Sequence, residues 1–447
     1  MTDLRRRALE GGKTLSRKAQ SKQSSRASSQ ANSRVNSRNV SRHGSDEEDG
    51  NASDGTNWSV NSVDEVLALE DTDLAGTATD WQEELGDRIA QILDRKRSNI
   101  AGREENFSAY VRFLTAKYAA EELYGKSEEL VGAFLKSIKT ESSEKETVLA
   151  LKALVLTIIT ITSETVYDLV DTPLKRTIND SKSSVTKNAA IHALGCATFY
   201  GGASLEETQE IMDFLLEIVE SDGNSVGSGD DGAVVTAALE EWGFLATQIE
   251  DMEDSTEAAI EAFIEQLDSS EPSVQIAAGE NIALLYEKSY TEAEEDEEVE
   301  SYDGEDPEDE SPRDGPKMVK RYEPYRRIDK LRHTLSDLAS ISSRRLSKKD
   351  RKSLHTNFSD ILNSVENPTR GPRYQNAVNQ ETGKRYGSRM TIRIHRTGVM
   401  KIDKWWKLHR LQALRRILAG GFMTHYEKNE VIFDSLPYVE ADALSVF

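Results

Sequence analysis

The sequence predicts a mostly α protein in which a solenoid of helical repeats precedes a small basic α+β C-terminal domain. Three observations lead to this prediction. Apolar residues recur at three- and four-residue steps across residues 79–290, a short motif repeats within that range, and acidic and basic residues are segregated along the chain. The predicted organisation is a disordered tail that is first basic and then acidic (1–78), the helical repeat domain (79–290), an acidic disordered linker (291–320) and the basic C-terminal domain (321–447).

The charge of the chain is unevenly distributed, although its formal net value is −23 over 447 residues. Residues 1–45 hold 11 Lys/Arg against 2 acids, and residues 46–80 hold 11 acids and no base. Residues 81–316 have a net charge of −35, whereas residues 317–417 have 26 bases against 8 acids, or +18. Such segregation is typical of a polyanionic partner or of masking within the chain.

The N-terminal tail is rich in Ser and Arg and too poor in apolar residues to offset the entropy of ordering. An arginine stands three residues before several serines, a spacing that suits kinases selecting basic substrates. A low-complexity Ser/Arg tail with chance spacing remains the alternative. The phosphorylation candidates are Ser29, Ser37, Ser41, Ser45 and, within the sequence Arg344-Arg-Leu-Ser, Ser347.

A repeated motif organises the helical region. Ala-Ala pairs stand at 189–190, 237–238 and 277–278, at intervals of 48 and 40 residues. Four residues after the second alanine of each pair comes an apolar residue and then a small one: Leu194-Gly195, Trp242-Gly243 and Ile282-Ala283. An acidic Gly/Ser insertion at 221–232 accounts for the longer interval. A period of roughly 40–47 residues is that of helical-pair solenoids of the armadillo/HEAT kind. A generic helical bundle is the alternative.

No pattern in the sequence calls for catalysis. The glycines of Gly227–Gly232 match G-x-G-x-x-G, but no strand is predicted before them and aspartates surround them. The seven histidines are scattered, H-E-x-x-H and C-x-x-C are absent, and Cys196 falls in a predicted core helix. We therefore expect no enzyme activity, no cofactor, no metal site and no small-molecule substrate.

Cysteine usage and hydropathy bear on the compartment. The single cysteine fits a reducing compartment, and no apolar run approaches the length of a membrane span. The N-terminus also lacks the apolar segment of a secretory signal. We expect a cytoplasmic and/or nuclear protein without membrane association.

The C-terminal region combines a strand with a basic helix. Residues 388–395 alternate as in a half-buried strand, a turn is predicted at 397–398, and residues 402–422 form a helix that mixes Trp with Lys and Arg. Gly420-Gly421 is expected to end this helix, with glycine in the left-handed position. Cations interleaved with aromatics favour contact with phosphates and bases. In the alternative, the helix packs on its own domain and its long basic side chains reach solvent. The candidate nucleic-acid-binding residues are Lys348, Lys349, Arg351, Lys352, Lys401, Lys404, Trp405, Lys407, His409, Arg410, Arg415 and Arg416.

The C-terminal motifs resemble those of the interferon-related developmental regulator family. The resemblance rests on residues 348–352 (KKDRK), followed by Phe358, Asp360-Ile-Leu, Val365-Glu366, Ile402-Asp403, Trp405, Lys407, His409, Leu418–Gly421, His425 and Asn429. These motifs span roughly residues 346–436, and the acidic helical region before them also fits. Animal members continue into a strongly basic tail, whereas this sequence ends at Phe447, so we expect a fungal-type or other short-tailed member.

The resemblance implies a non-enzymatic regulator of gene expression with an armadillo-like body. Members of this family are described as ribosome-silencing proteins and as transcriptional co-regulators. The favoured hypothesis is a regulator that binds ribosomes and rRNA through the basic Trp-containing helix and represses translation. The alternative is a nuclear transcriptional co-regulator whose helical repeats bind protein partners.

Overall fold

Consecutive helices of the computed structural model pack against each other as pairs. The structure describes residues 80–95, 98–294, 318–340, 347–378, 385–394 and 398–437. The first five pairs are α1 (Asp80–Leu93) with α2 (Ile100–Ala116), α4 (Ser127–Thr140) with α5 (Glu144–Thr160), α6 (Val166–Asp180) with α7 (Ser184–Tyr200), α8 (Leu205–Glu220) with α9 (Gly232–Ala246), and α10 (Glu253–Gln266) with α11 (Pro272–Lys288). The short helix α3 (Ala120–Leu123) connects the first two pairs.

The second helix of each pair stacks on the second helix of the next pair. We call helices α2, α5, α7, α9 and α11 the inner helices, and they contact one another in that order. Polar caps start several of them: the side chains of Ser143, Ser183 and Asp231 accept backbone N–H groups from the first turns of α5, α7 and α9. In α11 a proline at 272 occupies the first turn, where its missing N–H has no helical partner to lose.

The repeat predicted from the sequence coincides with the inner helices. The three Ala-Ala pairs lie in α7, α9 and α11, and helices α5, α7, α9 and α11 begin at residues 144, 184, 232 and 272. The longer middle interval contains a 3₁₀ turn at Asn224–Val226 and left-handed residues such as Asp222 and Gly223. The predicted mostly α fold with a helical repeat solenoid is therefore confirmed.

The helical stacking continues beyond residue 290. Strand β1 (Tyr290–Glu292) pairs antiparallel with β2 (Met318–Lys320), so the two ends of the predicted linker lie side by side. Helices α12 (Ile328–Ala339) and α13 (Lys348–Glu366) then form a sixth pair, and α13 packs on α11. The predicted boundary at 291–320 thus falls between the fifth and sixth pairs. Residues 295–317 and the predicted tail, including its four candidate serines, lie outside the described residues.

Two hairpins and three α-helices follow in the described part of the chain. Strand β3 (Tyr374–Val378) pairs with β4 (Arg385–Ser388), and β5 (Thr391–Ile394) pairs with β6 (Gly398–Lys401). Helices α14 (Trp405–Leu418), α15 (Phe422–Lys428) and α16 (Glu430–Ser435) follow. The strand predicted at 388–395 is therefore found as β5, and the predicted basic helix is found as α14.

The end of α14 differs from the prediction. The left-handed C-cap residue is Ala419, with φ 42°, whereas Gly421 has φ −83°. Glycine is required at 421 for a different reason, because a Cβ there would lie 1.7 Å from the carbonyl oxygen of Thr115 in α2. The glycine thus allows the chain to approach an inner helix closely.

The segment from α14 to α16 lies along the inner helices. Helix α14 contacts α2, α5, α9 and α11. Further along, His425 Nε2 donates to the Leu114 carbonyl oxygen at 2.7 Å, and Asn429 Nδ2 donates to the Ile159 carbonyl oxygen at 2.9 Å. The described residues all belong to one compact unit. The inner helices are consequently buried on most sides, which explains why α9 is apolar almost all round.

Candidate nucleic-acid interface

The first turn of α14 is capped by an acid of the solenoid. The backbone N–H groups of Trp405 and Trp406 donate to the Glu287 carboxylate of α11, with N–O distances of 2.8 and 3.1 Å. The preceding Lys404 makes no side-chain cap. A carboxylate at a helix N-terminus satisfies free N–H groups and interacts favourably with the helix dipole. Burial raises the pKa of Glu287, while Lys404 and these two N–H groups oppose that rise.

The two tryptophans have different environments. Trp405 is buried, and its indole Nε1 donates to Ser364 Oγ of α13 at 2.7 Å. Trp406 is partly exposed and lies within 5.6 Å of the Lys407 ammonium and 5.0 Å of the Arg410 guanidinium. Lys407 also forms an ion pair with Asp403, with an N–O distance of 2.7 Å. Trp405 is therefore a core residue, and Trp406 packs against its own helix's cations.

Arg410 holds two elements together. Its Nε donates to Thr247 Oγ1 at 2.9 Å, and a terminal nitrogen donates to the Ser435 carbonyl oxygen at 3.0 Å. The guanidinium also lies 5.2 Å from the centre of the Phe199 ring. Both of these donors point into the protein, so this cation joins α14 to the end of α9 and to α16.

Arg416 lies between two buried glutamates of α9. It forms ion pairs with Glu241 and, at 3.1 Å, with Glu240, and its side chain is 11% exposed. Glu241 also bonds His192 Nδ1 at 2.7 Å. Burial would raise the pKa of Glu241, but Arg416 and His192 bring that pKa below its ordinary value. A buried guanidinium enclosed by carboxylates stabilises the contact between α14 and α9 only while all partners are present.

His409 and Gln412 make the contact with α11. His409 Nε2 lies 3.4 Å from the Glu280 carbonyl oxygen, and Gln412 Nε2 donates to the Glu280 carboxylate at 3.1 Å. Burial lowers the pKa of His409 to about 4 and raises that of Glu280 to about 7. His409 is consequently neutral at pH 7. Gly243 permits this packing, because a Cβ there would lie 2.5 Å from His409 Cε1.

The remaining predicted residues are less enclosed. Arg415 is partly exposed and forms no ion pair within the described residues, while Lys401 in β6 is exposed. In α13, Lys352 is exposed and Arg351 is partly buried. Lys348 and Lys349 form the first turn of that helix. The structure thus does not gather the twelve candidates into one surface. Their binding of nucleic acid stays a prediction.

The hairpins carry cations that the sequence prediction did not single out. Arg370 lies over the Tyr374 ring at 5.1 Å, and Lys401 Nζ and Tyr374 both lie beside Gly387, which has φ 65°. The Arg389 backbone N–H donates to the Arg373 carbonyl oxygen at 3.1 Å, which joins the second hairpin to the start of the first. We call Arg370, Tyr374 and Lys401 the basic hairpin surface.

A sequence signal for this surface exists. Residues 369–401 contain eight Lys/Arg and a single acid, Glu381. This excess of basic residues is as pronounced as the one in the Trp-Trp helix, but the segment contains no tryptophan. Tyr374 of β3 and Lys401 of β6 come together only in the folded chain, where both approach Gly387 of β4.

Metal-ligand groups and the cysteine thiol were the chemical features most open to another function in the described residues. None of their His, Cys, Asp and Glu side chains form a group of three or more that could hold a metal ion. Cys196 is buried in α7, and burial raises the pKa of its thiol, which disfavours the reactive thiolate. No helix in this part of the chain is both long and apolar enough to cross a bilayer.

Comparison with known proteins places the chain among related sequences. The family model described as interferon-related developmental regulator matches residues 51–366, which include all six helical pairs up to the end of α13. An uncharacterized protein of Schizosaccharomyces pombe is 30% identical over 380 residues, covering 83% of this chain and 78% of the relative. Interferon-related developmental regulator 1 of Sus scrofa is 23% identical over 397 residues, covering 84% of this chain and 76% of the relative. The chain therefore belongs to the interferon-related developmental regulator family.

Proposed function

We propose that this chain is a non-enzymatic regulator of gene expression that associates with ribosomes through RNA contacts and represses translation. Family membership supports the regulatory role in general terms. The observation that carries the finer proposal is the basic hairpin surface, whose cations lie outside the contact between α14 and the solenoid. Binding of RNA phosphates releases counterions and needs cations that are not already enclosed by carboxylates.

The proposed contact lies elsewhere than on the face of α14. Arg410 and Arg416 are used in contacts with Thr247, Ser435 and the glutamates of α9. Lys352 and Lys401, in contrast, are exposed. We therefore assign the phosphate contacts to the basic hairpin surface together with Lys352. In this proposal α14 makes no phosphate contact itself. It supports the hairpin surface, because the chain runs from β6 into the first turn of α14.

A second candidate function is protein binding by the solenoid. Glu253, Glu257, Glu261 and Glu265 are exposed at four-residue steps on α10, and this helix contains no Lys or Arg. Residues four apart lie on one face of a helix, so these carboxylates form an acidic row. Such a row favours a basic protein segment, as expected for the transcriptional co-regulator alternative.

Sucrose-gradient sedimentation of cell extracts at low salt tests the proposal. The wild-type protein should co-sediment with ribosomes and leave those fractions after RNase treatment or at raised salt. The variant Lys352→Gln/Arg370→Gln/Lys401→Gln should lose at least tenfold of this association. In binding to purified ribosomal RNA, the slope of log affinity against log salt should fall by up to about 2–3, at roughly 0.7–0.9 for each lost phosphate contact.

A matched charge control separates local contacts from net charge. Lys136, Lys139 and Lys182 are exposed on the solenoid, and changing all three to Gln alters the net charge equally. This control variant should bind as the wild type does. Equal loss of ribosome association in both variants would show that the effect depends on overall charge. The protein-binding function would be favoured instead by two results together. Association with ribosomes would resist RNase, and it would be lost only in the variant Glu253→Gln/Glu257→Gln/Glu261→Gln/Glu265→Gln.

A further inference from the structure

We infer that the segment after Pro437 (residues 438–447) docks back on the solenoid, with the Tyr438 ring in a cavity at the ends of α5 and α7. The cavity has a volume of about 380 Å³, and the aromatic residues Phe199 and Tyr200 of α7 line it. This contact is internal to the chain and is independent of RNA or ribosome binding.

The cavity lies between two loops that are fixed against each other. One loop follows α5 and the other follows α7. The Tyr167 backbone N–H donates to the Gly201 carbonyl oxygen at 2.9 Å, which fastens the start of α6 to the second loop. Gly202 has φ 94°, and a Cβ there would lie 2.4 Å from Glu164 Cα, so glycine allows the loops to approach this closely. The fold itself therefore forms the cavity.

The described part of the chain ends beside this cavity. A hydrogen bond of 3.0 Å joins the hydroxyl of the cavity-lining Tyr200 to Ser435 Oγ. Arg410 donates to the Ser435 carbonyl oxygen at 3.0 Å, and its guanidinium lies 5.2 Å from the centre of the Phe199 ring. Leu436, the next residue, is buried. The residues that follow therefore start next to the two aromatic side chains of the cavity.

The segment after Pro437 has the length and the composition for this contact. Tyr438 is three residues after Ser435, so their Cα atoms lie at most about 10–11 Å apart. Seven of residues 438–447 are Tyr, Val, Ala, Leu or Phe, and none is basic. A side chain tethered this closely has an effective concentration in the millimolar range, so even a weak contact is occupied.

A tyrosine suits both sides of the cavity. Its ring packs on the aromatic side chains of Phe199 and Tyr200. Its hydroxyl donates to one of the oxygen acceptors that Thr162, Ser163 and Glu164 supply at the other side. The residues that line the cavity include no Lys or Arg, so an RNA phosphate would find no cation there and would be repelled by Glu164. A neutral aromatic side chain therefore fits the cavity better than nucleic acid does.

Two exposed apolar side chains belong to the same parts of the chain. Leu205, two residues after the cavity-lining Ala203, is 67% exposed. Phe433, two residues before Ser435, is 37% exposed. Packing of apolar residues on such side chains removes apolar surface from water. The apolar residues in the rest of the segment supply this cover.

Hydrogen exchange of the full chain, measured by mass spectrometry, tests the contact. Tyr438→Ser should speed the exchange of backbone amides in 162–167 and 199–205 by about fivefold, because the two loops lose a packed side chain. The matched control Leu444→Ser removes an apolar side chain six residues further along and should leave these amides within about twofold of the wild type. Exchange in 253–266 of α10 should be the same in all three proteins. Equal exchange of both loops in Tyr438→Ser and the wild type would overturn the inference.

A synthetic peptide with the sequence of residues 438–447 gives a second measurement. Added at about 1 mM to the full chain carrying Tyr438→Ser, the peptide should slow the exchange of both loops again, whereas the same peptide carrying Tyr438→Ser should not. No slowing by either peptide would remove Tyr438 as the occupant.

Two further results would assign the cavity to something else and would overturn the inference. Protection of the loops that grows with protein concentration would indicate a second copy of the chain. Protection that appears only when purified ribosomes are added would indicate a partner. A wild-type chain whose loops are protected at low concentration, without ribosomes, supports docking of its own segment, whether or not the proposed RNA contact is found.

Discussion

Helix α14 and the basic hairpin surface have similar contents of cations but opposite surroundings. Four of the 14 residues of α14 are Lys or Arg, and eight of the 33 residues in 369–401 are. In α14, Arg416 is enclosed by Glu240 and Glu241, whereas Lys401 of the hairpin surface is exposed. The comparison teaches that cation density does not identify a binding surface. The acids that the fold places opposite each cation decide whether it is available.

Part of the charge segregation along the chain is resolved inside the protein. The solenoid supplies buried glutamates from α9 and α11, and the C-terminal segment supplies the arginine and the helix N-terminus that face them. Of the two explanations that the sequence left open, pairing within the chain therefore holds for α14. The polyanionic partner remains the proposal for the hairpin surface.

Replacing Arg416 with Met should have the largest effect on stability. The change removes the cation that is shared by Glu240 and Glu241, whose side chains are 8% and 3% exposed. Removing one partner of a buried ionic group typically costs about 3–5 kcal/mol, because the other charges stay buried and uncompensated. Thermal and urea unfolding of the purified protein measure the loss.

Two further variants sharpen this prediction. Arg415→Met alters the neighbouring, partly exposed arginine and should change the free energy of unfolding by less than about 1 kcal/mol. Adding Glu240→Gln and Glu241→Gln to Arg416→Met should restore most of the loss, because no buried charge is left unpaired. Equal effects of Arg416→Met and Arg415→Met would contradict the internal role assigned to α14.

Gly243→Ala should be the next most damaging change. A Cβ at this position of α9 would lie 2.1 Å from Asn281 Oδ1 and 2.5 Å from His409 Cε1, so α11 and α14 would have to move. Overpacking of this kind typically costs about 1–3 kcal/mol. The control is Gly132→Ala in α4, where no atom lies within 4 Å of the added Cβ. That change should be neutral or stabilise the helix by up to about 1 kcal/mol. If both variants unfold at the wild-type temperature, the result would contradict the close approach of α11 and α14 to Gly243.

Local features of the fold were predictable from the sequence, whereas the position of α14 was not. The Ala-Ala pairs and their spacing identified the inner helices because a helical repeat is a property of neighbouring residues. The contact between Glu287 and Trp405 joins residues 118 positions apart, and no periodicity records such a pairing. One signal was present: α9 is apolar almost all round apart from Thr236 and Glu240-Glu241, which indicates a helix buried with its acids.

Glu280 and His409 should contribute to stability between pH 4.5 and 6.5 with opposite signs. Burial raises the pKa of Glu280 to about 7, so the folded state binds more protons than the unfolded state between about 4.5 and 7, and Glu280 makes stability fall as pH rises. Burial lowers the pKa of His409 to about 4, so the unfolded state binds more protons between about 4 and 6.5, and His409 makes stability rise.

Substitution separates these two contributions. In Glu280→Gln, which keeps an oxygen acceptor for Gln412, stability should rise more steeply with pH than in the wild type. In His409→Gln it should rise less steeply or fall. Each difference is limited to about 1.4 kcal/mol per pH unit. Melting temperatures at half-unit steps of pH measure the slopes, and parallel curves for all three proteins would show that neither group is buried as described.

Lys401→Gln combined with Lys352→Gln should have the smallest effect on stability of all these changes. Both lysines are exposed, and neither side chain forms a hydrogen bond or an ion pair with another described residue. Surface substitutions of this kind usually change the free energy of unfolding by no more than about 0.5 kcal/mol. A melting temperature within about a degree of the wild type is expected, in contrast to the large loss in Arg416→Met. Because the fold is then unaltered, any weaker binding of RNA by the double variant reflects lost contacts. A double variant that melts several degrees lower would mean that the hairpin cations also serve the fold, and the distinction between the two regions would fail.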